Sequence, residues 1–449
     1  MRRLLPVAIL LFFAGLQAPL LEPEEARYAE IPRQMLAADR WLVPTLHGQD
    51  YLDKPPLFYW LVMGCYRVFG VHDWAARIVP ALAAVLTVAV VYGWTWAVAG
   101  RRVAFAAGLV LLLTPEFIYR GRFVTMNGLL ALFTTAALAC GHVARLGPRL
   151  CIGWWLTSAA CVGLGLLTKG PVAAALVLPP MLAHGWLDRR LARVPLRWWL
   201  AFGATAVAVA APWFVAVAMQ CPEFVGYFFW FHHVVRYTNA FDHAKPWWAY
   251  LPQLALGLLP WTLLLPLACR FAMRRDAFAL VAAAWMVLFF SLAGSKRPVY
   301  LVPALPPLAI ALAGPATVMA RRFARPTAVR WATAAACAAM LVAVAAWWPA
   351  YAASFSLKAL ARSTDGPTIC YPQPWEAVTF YGRGDVRWVR DRDELVAALT
   401  AHPGIALVVR KSWLGDLPPD VAFAPTAEAV GVTVGKLRPR RVAMHGCLE

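Results

Sequence analysis

The feature that most constrains this chain is a series of long apolar runs separated by short basic turns. An apolar run of about 20 residues is long enough to cross a bilayer as an α-helix. Hydrophobic residues make up 61% of the 449 residues and charged residues only 14%, against roughly 45–50% and about 25% in soluble proteins. The sequence therefore predicts a polytopic membrane protein. The runs are unbroken rather than alternating, which argues against a transmembrane β-barrel.

The distribution of the net charge of +19 indicates topology rather than nucleic-acid binding. Most Lys and Arg residues lie in short turns, which the positive-inside rule places in the cytoplasm. The arginines assigned to cytoplasmic turns are Arg2, Arg3, Arg101, Arg102, Arg145, Arg149, Arg189, Arg190, Arg193, Arg197, Arg270, Arg274, Arg275, Arg321, Arg322, Arg325 and Arg330. This assignment predicts about eleven spans in a bacterial inner membrane, with a cytoplasmic N-terminus and a periplasmic C-terminus.

Composition divides the chain into two parts. Residues 1–349 form the predicted membrane domain, in which residues 22–74 are the first periplasmic loop and 57–70 a short interfacial helix. Residues 350–449 are charged and mixed, and segments 372–380, 386–389, 391–400 and 405–410 follow a strand–helix–strand pattern. The expected fold class is therefore mainly α, with a small C-terminal α/β domain in the periplasm. There, Cys370 and Cys447 either form a disulfide or remain free thiols.

Ionisable residues in the outer turns are the first candidates for function. Basic residues stand there against the positive-inside rule, at Arg120, Arg122, Lys169, Arg236, Lys245, Lys296 and Arg297. The first loop adds Glu22, Glu24, Glu25, Arg27, Glu30, Arg33, Asp50, Asp53 and Lys54. Charges at the membrane edge are costly and indicate function. Cations and carboxylates on one face suit a phosphorylated lipid and an acid–base group; ion pairs with lipid headgroups are the alternative.

Known soluble motifs do not explain these charges. The sequence contains no HExxH, and Thr168-Lys169-Gly170 lacks the glycine that precedes the lysine of a P-loop. The nine cysteines include no CxxC pair, so zinc spacing is not evident. Adjacent histidines such as His232 and His233 point to different sides of a helix, and a metal would need ligands from other loops.

Motifs in the outer turns resemble a known family. In chain order they are Pro23-Glu24-Glu25-Ala26-Arg27-Tyr28, Asp39-Arg40-Trp41, Asp53-Lys54-Pro55-Pro56, Leu167-Thr168-Lys169-Gly170-Pro171, Tyr227-Phe228-Phe229-Trp230, Pro246-Trp247-Trp248 and Ser295-Lys296-Arg297-Pro298. Their order and spacing resemble bacterial membrane glycosyltransferases of the GT-C class. The nearest groups are the aminoarabinose transferases that modify lipid A and the bacterial relatives of protein O-mannosyltransferases. The likeness covers nearly the whole membrane part and is looser in the tail.

The resemblance implies a transferase that moves a sugar from a polyprenyl-phosphate (undecaprenyl-phosphate) donor to a periplasmic-side acceptor, with inversion. An Asp-Glu pair of the family aligns with Glu24 and Glu25, which implies that these carboxylates are catalytic and that Glu24 orients or deprotonates the acceptor. A second family Asp aligns with Asn127, which cannot ionise. The residues that the resemblance places at the donor phosphate are Lys54, Arg236, Tyr300, Lys169 and Lys296.

The resemblance also implies a divalent metal ion near Asp53 and His233, and no other cofactor is indicated. The expected acceptor is lipid A or another membrane glycolipid, and a protein acceptor is the alternative. Expected partners are thus the polyprenyl-phosphate-linked sugar, a lipid or protein acceptor and membrane lipid, but no nucleic acid. A lipid or solute transporter is a weaker alternative, because the chain lacks an internal repeat. An enzyme of this kind requires the predicted carboxylates and cations to face one cavity.

Overall fold

The structure is a computed structural model that describes residues 1–188, 191–239, 243–272, 277–323, 325–364, 366–401, 404–417 and 421–439. Cys447, which could pair with Cys370 or remain a free thiol, lies outside these residues, as do the arginines at 189, 190, 274 and 275 that were assigned to cytoplasmic turns. Within the described part the protein is mainly helical, as predicted, and a single small sheet domain follows the last apolar helix.

The first half of the chain supplies the first loop and most membrane helices. In order, its elements are α1 (Leu4–Phe13), α2 (Glu24–Ala37), β1 (Thr45–Leu46), β2 (Gln49–Asp50), α3 (Leu57–Phe69), α4 (Asp73–Ala99), α5 (Arg101–Leu112), α6 (Pro115–Gly121), α7 (Met126–Val143), α8 (Ile152–Lys169), α9 (Val172–Leu187) and α10 (Leu196–Gln220). The helix at 57–69 agrees with the short helix predicted there.

The second half begins with a π-helix, Gly226–Val235, and ends in the sheet domain. Between them lie α11 (Arg236–Thr238), a 3₁₀ turn (Trp247–Ala249), α12 (Tyr250–Gly257), a 3₁₀ turn (Trp261–Leu264), α13 (Leu265–Ala272), α14 (Phe278–Leu292), a 3₁₀ turn (Pro298–Ala304), α15 (Leu305–Phe323), α16 (Pro326–Val342), a second π-helix (Ala343–Trp347) and α17 (Trp348–Ser354).

Five helical stretches in the described residues are long and apolar enough to cross a membrane, or seven if each of two bent pairs is one span. The five are Asp73–Ala99, Met126–Val143, Leu196–Gln220, Pro298–Arg322 and Thr327–Ser354. The pairs bend by 68° between α5 and α6 and by 107° between α12 and α13. The protein is thus a polytopic membrane protein. The count of about eleven spans stays a prediction. It requires that shorter apolar helices also cross the membrane.

The membrane helices pack around α4 and α7, and α7 also contacts α8 and α9. Several threonine side chains inside this bundle form hydrogen bonds within their own helix. Thr87, Thr95 and Thr134 each donate a hydrogen bond to the carbonyl oxygen four residues earlier. Such bonds remove the cost of an unpaired hydroxyl where no water is available. The bundle is therefore held by apolar packing, and charged groups concentrate at its ends.

The C-terminal domain contains a mixed five-stranded sheet. Its elements are α18 (Lys358–Arg362), β3 (Thr368–Tyr371), α19 (Glu376–Tyr381), β4 (Val386–Trp388), α20 (Arg392–Ala401), β5 (Ala406–Arg410), a 3₁₀ turn (Lys411–Asp416), β6 (Val421–Ala429) and β7 (Val432–Pro439). The strand order is β4-β3-β5-β7-β6. β3 pairs in parallel with β4 and β5, whereas β7 runs antiparallel to β5 and β6. The predicted alternation of strand and helix is present in β4, α20 and β5; segment 372–380 leads into α19 instead.

The sheet domain docks on the first loop, and we call this end of the bundle the sheet side. Arg27 of α2 pairs with Glu376 at 2.8 Å. The backbone N–H of Ala377 donates to the Glu22 carboxyl group. Asp73 at the start of α4 accepts hydrogen bonds from Lys358 at 2.5 Å and from the Tyr381 hydroxyl at 3.0 Å. These contacts fix the start of α2, which carries Glu24, relative to the membrane helices.

Candidate active site

A cavity of about 290 Å³ opens at the sheet side, where the ends of several helices meet the first loop. Its lining includes Glu24, Arg27, Tyr28, Tyr51, Asp53, Lys54, Asn127, Lys169, His232, His233, Arg236, Tyr237, Phe289, Phe290, Arg297 and Tyr300. The structure therefore brings Glu24, Lys54, Lys169, Arg236 and Tyr300 together in one cavity, together with Asp53 and His233. Two of the predicted residues, Glu25 and Lys296, do not line it.

Glu24 and Arg297 form an ion pair on the wall of this cavity. Arg297 Nη1 donates to Glu24 Oε1 at 2.7 Å, and both side chains remain about a quarter exposed, at 27% and 26%. Arg297 has extended backbone angles, so consecutive side chains point in opposite directions. Lys296 accordingly turns into the protein, where its Nζ donates to the carbonyl oxygen of Ala293. The geometry thus assigns to Arg297 the position that the sequence led us to expect for Lys296.

Glu25 has a different environment from its neighbour Glu24. It is fully buried, and its carboxylate forms two hydrogen bonds with Arg77, from Nε at 3.0 Å and from Nη2 at 2.7 Å. The backbone N–H groups of Leu21 and Val124 donate to the same carboxylate. Both oxygens of Glu25 accept hydrogen bonds inside the protein, as expected for an anchor of the first loop, and its catalytic role stays a prediction.

Lys54 lies at the centre of a second group of charges. Its Nζ donates to Nε2 of His232 at 2.6 Å and to its neighbour's carbonyl oxygen at 3.0 Å. Burial lowers the pKa of Lys54 to about 8, although Asp53 opposes this shift. Burial and the charge of Lys54 hold the pKa of His232 far below its ordinary value, so this imidazole is neutral and accepts a hydrogen bond from the lysine ammonium group. Tyr227 donates its hydroxyl to Asp53 Oδ1.

Lys169 is the last residue of α8, and its side chain lines the cavity. Its Nζ donates to Asn127 Oδ1 at 2.6 Å and lies 4.5 Å from the centre of the Tyr300 ring. Neither contact neutralises the ammonium group, because the amide carries no charge. Gly170, which follows, has φ = 72°, and a Cβ there would come within 2.7 Å of Phe228. Glycine is required for the turn that brings Lys169 and the π-helix together.

The π-helix Gly226–Val235 closes one side of the site and continues into Arg236. His232, His233 and Arg236 line the cavity. The opposite face exposes large apolar side chains, including 65% of Trp230 and 46% of Phe231. An apolar face beside a charged one is typical of a segment that lies in the membrane interface. The segment therefore joins the charged cavity to surrounding lipid.

The predicted metal position does not fit a metal ion. His233 Nδ1 lies 2.6 Å from the carbonyl oxygen of Phe228, and its Nε2 lies 3.4 Å from that of Lys169. Because a carbonyl oxygen only accepts hydrogen bonds, the closer contact places the proton on Nδ1, and Nε2 faces the carbonyl oxygen of Lys169. Asp53 is engaged by Tyr227. The described residues contain no group of three or more His, Cys, Asp or Glu side chains arranged to hold a metal. We derive no step through a metal ion.

The balance of charge in the cavity favours an anionic ligand. Five Lys and Arg side chains line it against two carboxylates, Glu24 and Asp53. One of the five, Arg27, is paired with Glu376 of the sheet domain. Such an excess of cations in a partly enclosed site attracts phosphate strongly. Glu24 is a carboxylate on the wall with about a quarter of its side chain exposed, which suits an acid–base or orienting group.

Several cavity residues were not assigned to the site from the sequence. Arg27, Tyr28, Tyr51, His232 and Arg297 all line it. The helical period offers a signal for Arg27, because positions three apart on α2 share a face with Glu24. For Arg297 the signal would have been the extended stretch before Pro298, where neighbouring side chains alternate. Tyr51 lies in a loop and His232 in a π-helix, and neither follows the regular α-helical period that a sequence reveals.

Comparisons with known proteins agree with this geometry. Residues 53–216 match the family of dolichyl-phosphate-mannose-protein mannosyltransferases. The undecaprenyl phosphate-α-4-amino-4-deoxy-L-arabinose arabinosyl transferase of Erwinia tasmaniensis is 36% identical over 309 residues, which are 66% of this chain and 55% of that protein. The chain thus spans about half the length of the curated relatives it matches, here 55%.

Solved structures share the fold over a greater length. ArnT from Cupriavidus metallidurans superposes with a TM-score of 0.79 in its apo state and 0.77 when bound to undecaprenyl phosphate, at 23% identity and over 97% of both chains. The oligosaccharyltransferase of Archaeoglobus fulgidus superposes with a TM-score of 0.56 at 13% identity, over 91% of this chain and 69% of that one. The chain is therefore similar in sequence to the bacterial aminoarabinose transferases over the matched part and shares the fold of ArnT over nearly its whole length.

Proposed function

We propose that this protein is a glycosyltransferase that moves a sugar from a polyprenyl-phosphate donor, such as undecaprenyl phosphate-linked aminoarabinose, to lipid A or another membrane glycolipid. The observation that carries the proposal is one cavity in which a partly exposed Glu24 faces an excess of cations. The names of the relatives support an undecaprenyl-phosphate donor, and the π-helix with its lipid-facing aromatic side chains supports a donor that arrives from the membrane.

In the proposed reaction Lys54 and Arg236 bind the donor phosphate, and Lys169, beside Tyr300, adds a third contact. The acceptor oxygen attacks the anomeric carbon from the side opposite the phosphate, so the bond to the phosphate oxygen breaks with inversion. The electron pair leaves on the phosphate, where the cations stabilise the growing charge. Glu24 takes the proton of an acceptor hydroxyl, and Arg297 holds its carboxylate in position. For an acceptor that is already ionised, Glu24 orients rather than deprotonates.

The proposed location is the bacterial inner membrane, with the sheet side and the C-terminus in the periplasm and the N-terminus in the cytoplasm. The division into a membrane domain, 1–349, and a soluble domain, 350–449, is part of the proposal. The last apolar helical stretch, Thr327–Ser354, extends a few residues past that boundary.

The alternative acceptor is a protein hydroxyl group. The match of residues 53–216 to the protein mannosyltransferases favours it. In that case Glu24 would act as the base for a serine or threonine side chain, and the same cations would hold the donor.

Mass spectrometry of a strain that lacks the gene tests the proposal. We expect lipid A or a membrane glycolipid to lose the mass of one sugar, and the wild-type gene to restore it. The Glu24→Gln variant should insert into the membrane but fail to restore the sugar. A loss confined to periplasmic glycoproteins would favour the protein acceptor. Unchanged lipids and proteins would contradict a transferase function.

Binding of the donor's carrier is tested separately with undecaprenyl phosphate and purified protein. Lys54→Ala should weaken binding about 10- to 100-fold, since a hydrogen bond to a charged group contributes about 1.5–3 kcal/mol. Lys245→Ala removes an exposed lysine that does not line the cavity and serves as the matched control. Equal affinities for the two variants would exclude Lys54 from the phosphate site.

A further inference from the structure

A basic cavity lies at the end of the bundle opposite the sheet side, where α8 and α10 begin, and we call it the arginine pocket. It has a volume of about 530 Å³, and its lining includes Arg149, Arg193 and Arg197 together with Leu150, Ile152 and Trp198. Helix α8 leads from this pocket to Lys169 in the active-site cavity, and its 18 residues span about 27 Å. The pocket is therefore separate from the site at which we propose that the sugar is transferred.

The positive charge of the pocket is not neutralised within the described part of the chain. No Asp or Glu is among the described residues that line it, and no ion pair or side-chain hydrogen bond there involves Arg149, Arg193 or Arg197. The guanidinium of Arg197 lies 5.9 Å from the centre of the Trp198 ring, a contact that leaves its charge intact. Neither α8 nor α10 has a side-chain cap at its start, so the positive ends of two helix dipoles add to the same field. The pocket therefore attracts anions.

Buried hydrogen bonds fix the walls of the pocket. Arg145, which follows α7, donates from Nε to the carbonyl oxygen of Ala192 at 3.2 Å, and the backbone N–H of Ala192 donates to the carbonyl oxygen of Arg145 at 3.0 Å. The indole N–H of the fully buried Trp155 donates to the carbonyl oxygen of Trp198 at 2.9 Å, which joins the first turns of α8 and α10. Because its backbone is already ordered, the pocket can bind a ligand without the cost of ordering a loop.

An exposed apolar face of α10 begins at the pocket. Leu196, Leu200 and Val207 are 73%, 65% and 58% exposed, and their spacing places them on one side of the helix. Arg197, three positions before Leu200, borders that side. An apolar helix face that starts at a group of cations matches an amphiphile with an anionic headgroup and acyl chains.

We propose that the arginine pocket binds an anionic phospholipid that carries two phosphodiester groups, as diphosphatidylglycerol does. The phosphates lie among the three arginines, and acyl chains follow the exposed face of α10. Three cations without a carboxylate partner favour two phosphates over one, since a single phosphodiester would leave most of the charge uncompensated. The bound lipid joins the starts of α8 and α10 and so stabilises the helix that ends at Lys169. The site does not depend on the proposed transferase function, and only its assignment to the cytoplasmic leaflet rests on the proposed orientation.

Binding of diphosphatidylglycerol to the full-length protein in detergent, measured by native mass spectrometry, tests the pocket. The double variant Arg193→Gln/Arg197→Gln should bind about 25-fold more weakly, since each basic residue at a membrane surface contributes roughly fivefold. The double variant Arg101→Gln/Arg102→Gln is the matched control, because it removes the same charge and a similar contact, that of Arg101 with Trp96. Without added lipid both variants should melt like the wild type, because all four arginines are exposed.

Diphosphatidylglycerol should also raise the melting temperature of the wild type and of the control, and raise that of Arg193→Gln/Arg197→Gln much less. The proposal is overturned if the two double variants bind the lipid alike, if phosphatidylglycerol at equal concentration displaces it, or if its deacylated headgroup competes equally well. The last result would identify a soluble phosphate compound as the ligand. Because this experiment measures no sugar transfer, its failure leaves the proposed function standing, and a failure of the proposed function leaves the pocket standing.

Discussion

Arg297 Nη1 donates a hydrogen bond to Glu24 Oε1 at 2.7 Å, although 273 positions separate the two residues in the chain. The contact joins the first loop to the turn before the 3₁₀ helix Pro298–Ala304, so the carboxylate is held in place from two sides of the cavity. The pair therefore fixes the proposed acid–base group on the wall of the same cavity that contains the proposed phosphate site.

Replacing the Glu24 carboxylate should nearly abolish transfer. Glu24→Gln keeps the shape of the side chain but cannot take a proton, and we expect kcat to fall about 10²- to 10⁴-fold. Glu24→Asp should also lose activity, because the shorter side chain cannot reach both Arg297 and the acceptor. Glu116→Gln, which loses a similarly exposed pair with Arg120, is the control. Full kcat in Glu24→Gln would remove Glu24 from the mechanism.

Donor use should decline at high pH because of Lys54. Its pKa of about 8 in the folded protein means that the ammonium group is charged below that pH and loses its proton above it. The affinity for an anionic donor therefore falls as the pH rises through about 8, and kcat/KM for the donor should show this descending limb. Lys54→Arg should reduce the limb, since arginine stays charged and Lys169 is then the lysine of the proposed phosphate site that can still lose its proton. A limb of unchanged size in Lys54→Arg would belong to another group.

Adding a carboxylate at Asn127 should weaken donor binding. Asn127→Asp places a negative charge within 2.6 Å of Lys169 Nζ, where the amide oxygen now lies. The new aspartate would neutralise the positive charge of Lys169, which otherwise attracts the donor phosphate. We therefore expect the donor KM to rise about tenfold, equivalent to about 1.4 kcal/mol. Asn127→Ala separates loss of the hydrogen bond from gain of charge. Tighter donor binding by Asn127→Asp would contradict this view of Lys169.

Glu25 and Glu24 should respond in opposite ways to mutation. Glu25→Ala leaves the buried Arg77 without its carboxylate, which typically costs about 3–5 kcal/mol, and the melting temperature in detergent should fall clearly. Glu24→Gln, at a partly exposed position next to it, should leave the melting temperature nearly unchanged. If Glu25→Ala melts like the wild type but loses activity, Glu25 acts in the reaction and not as an anchor.

Reporter fusions test the orientation. A reporter that is active only in the periplasm should be active when fused to the C-terminus and silent when fused after Arg102 or Arg193, because both arginines lie in turns assigned to the cytoplasm. Activity after Arg193 would contradict the predicted order of spans.

The helices and the membrane location followed from the sequence because apolar length and basic turns act locally. The prediction of one shared cavity agrees with the structure for Lys54, Lys169 and Arg236. All three belong to outer turns, and these turns must meet at one end of the bundle. Strands β6 and β7 were not identified. Their sequence, which includes Pro425 and Gly435, lacks the regular alternation that marks a strand.

It was harder to predict which of two neighbouring residues faces the cavity and which is buried in the protein. Glu24 and Glu25 have the same chemistry, and partners far away in the chain distinguish them: Arg297 for Glu24 and the buried Arg77 for Glu25. The side chains of Lys296 and Arg297 point in opposite directions because their backbone is extended. That backbone pairs with residues 243 and 244, which are distant in the chain. Such choices depend on tertiary contacts over long stretches of chain, which a single sequence does not encode in any local pattern.

The excess of cations over carboxylates around Lys54 has a consequence for the end of each reaction cycle. A sugar-linked carrier is a phosphate diester with one negative charge, whereas the carrier left behind is a monoester whose second ionisation lies near pH 6. The spent carrier thus carries more charge than the substrate and should remain bound more tightly. We expect departure of the spent carrier to limit the steady-state rate, and the protein to show a burst of sugar transfer in its first turnover.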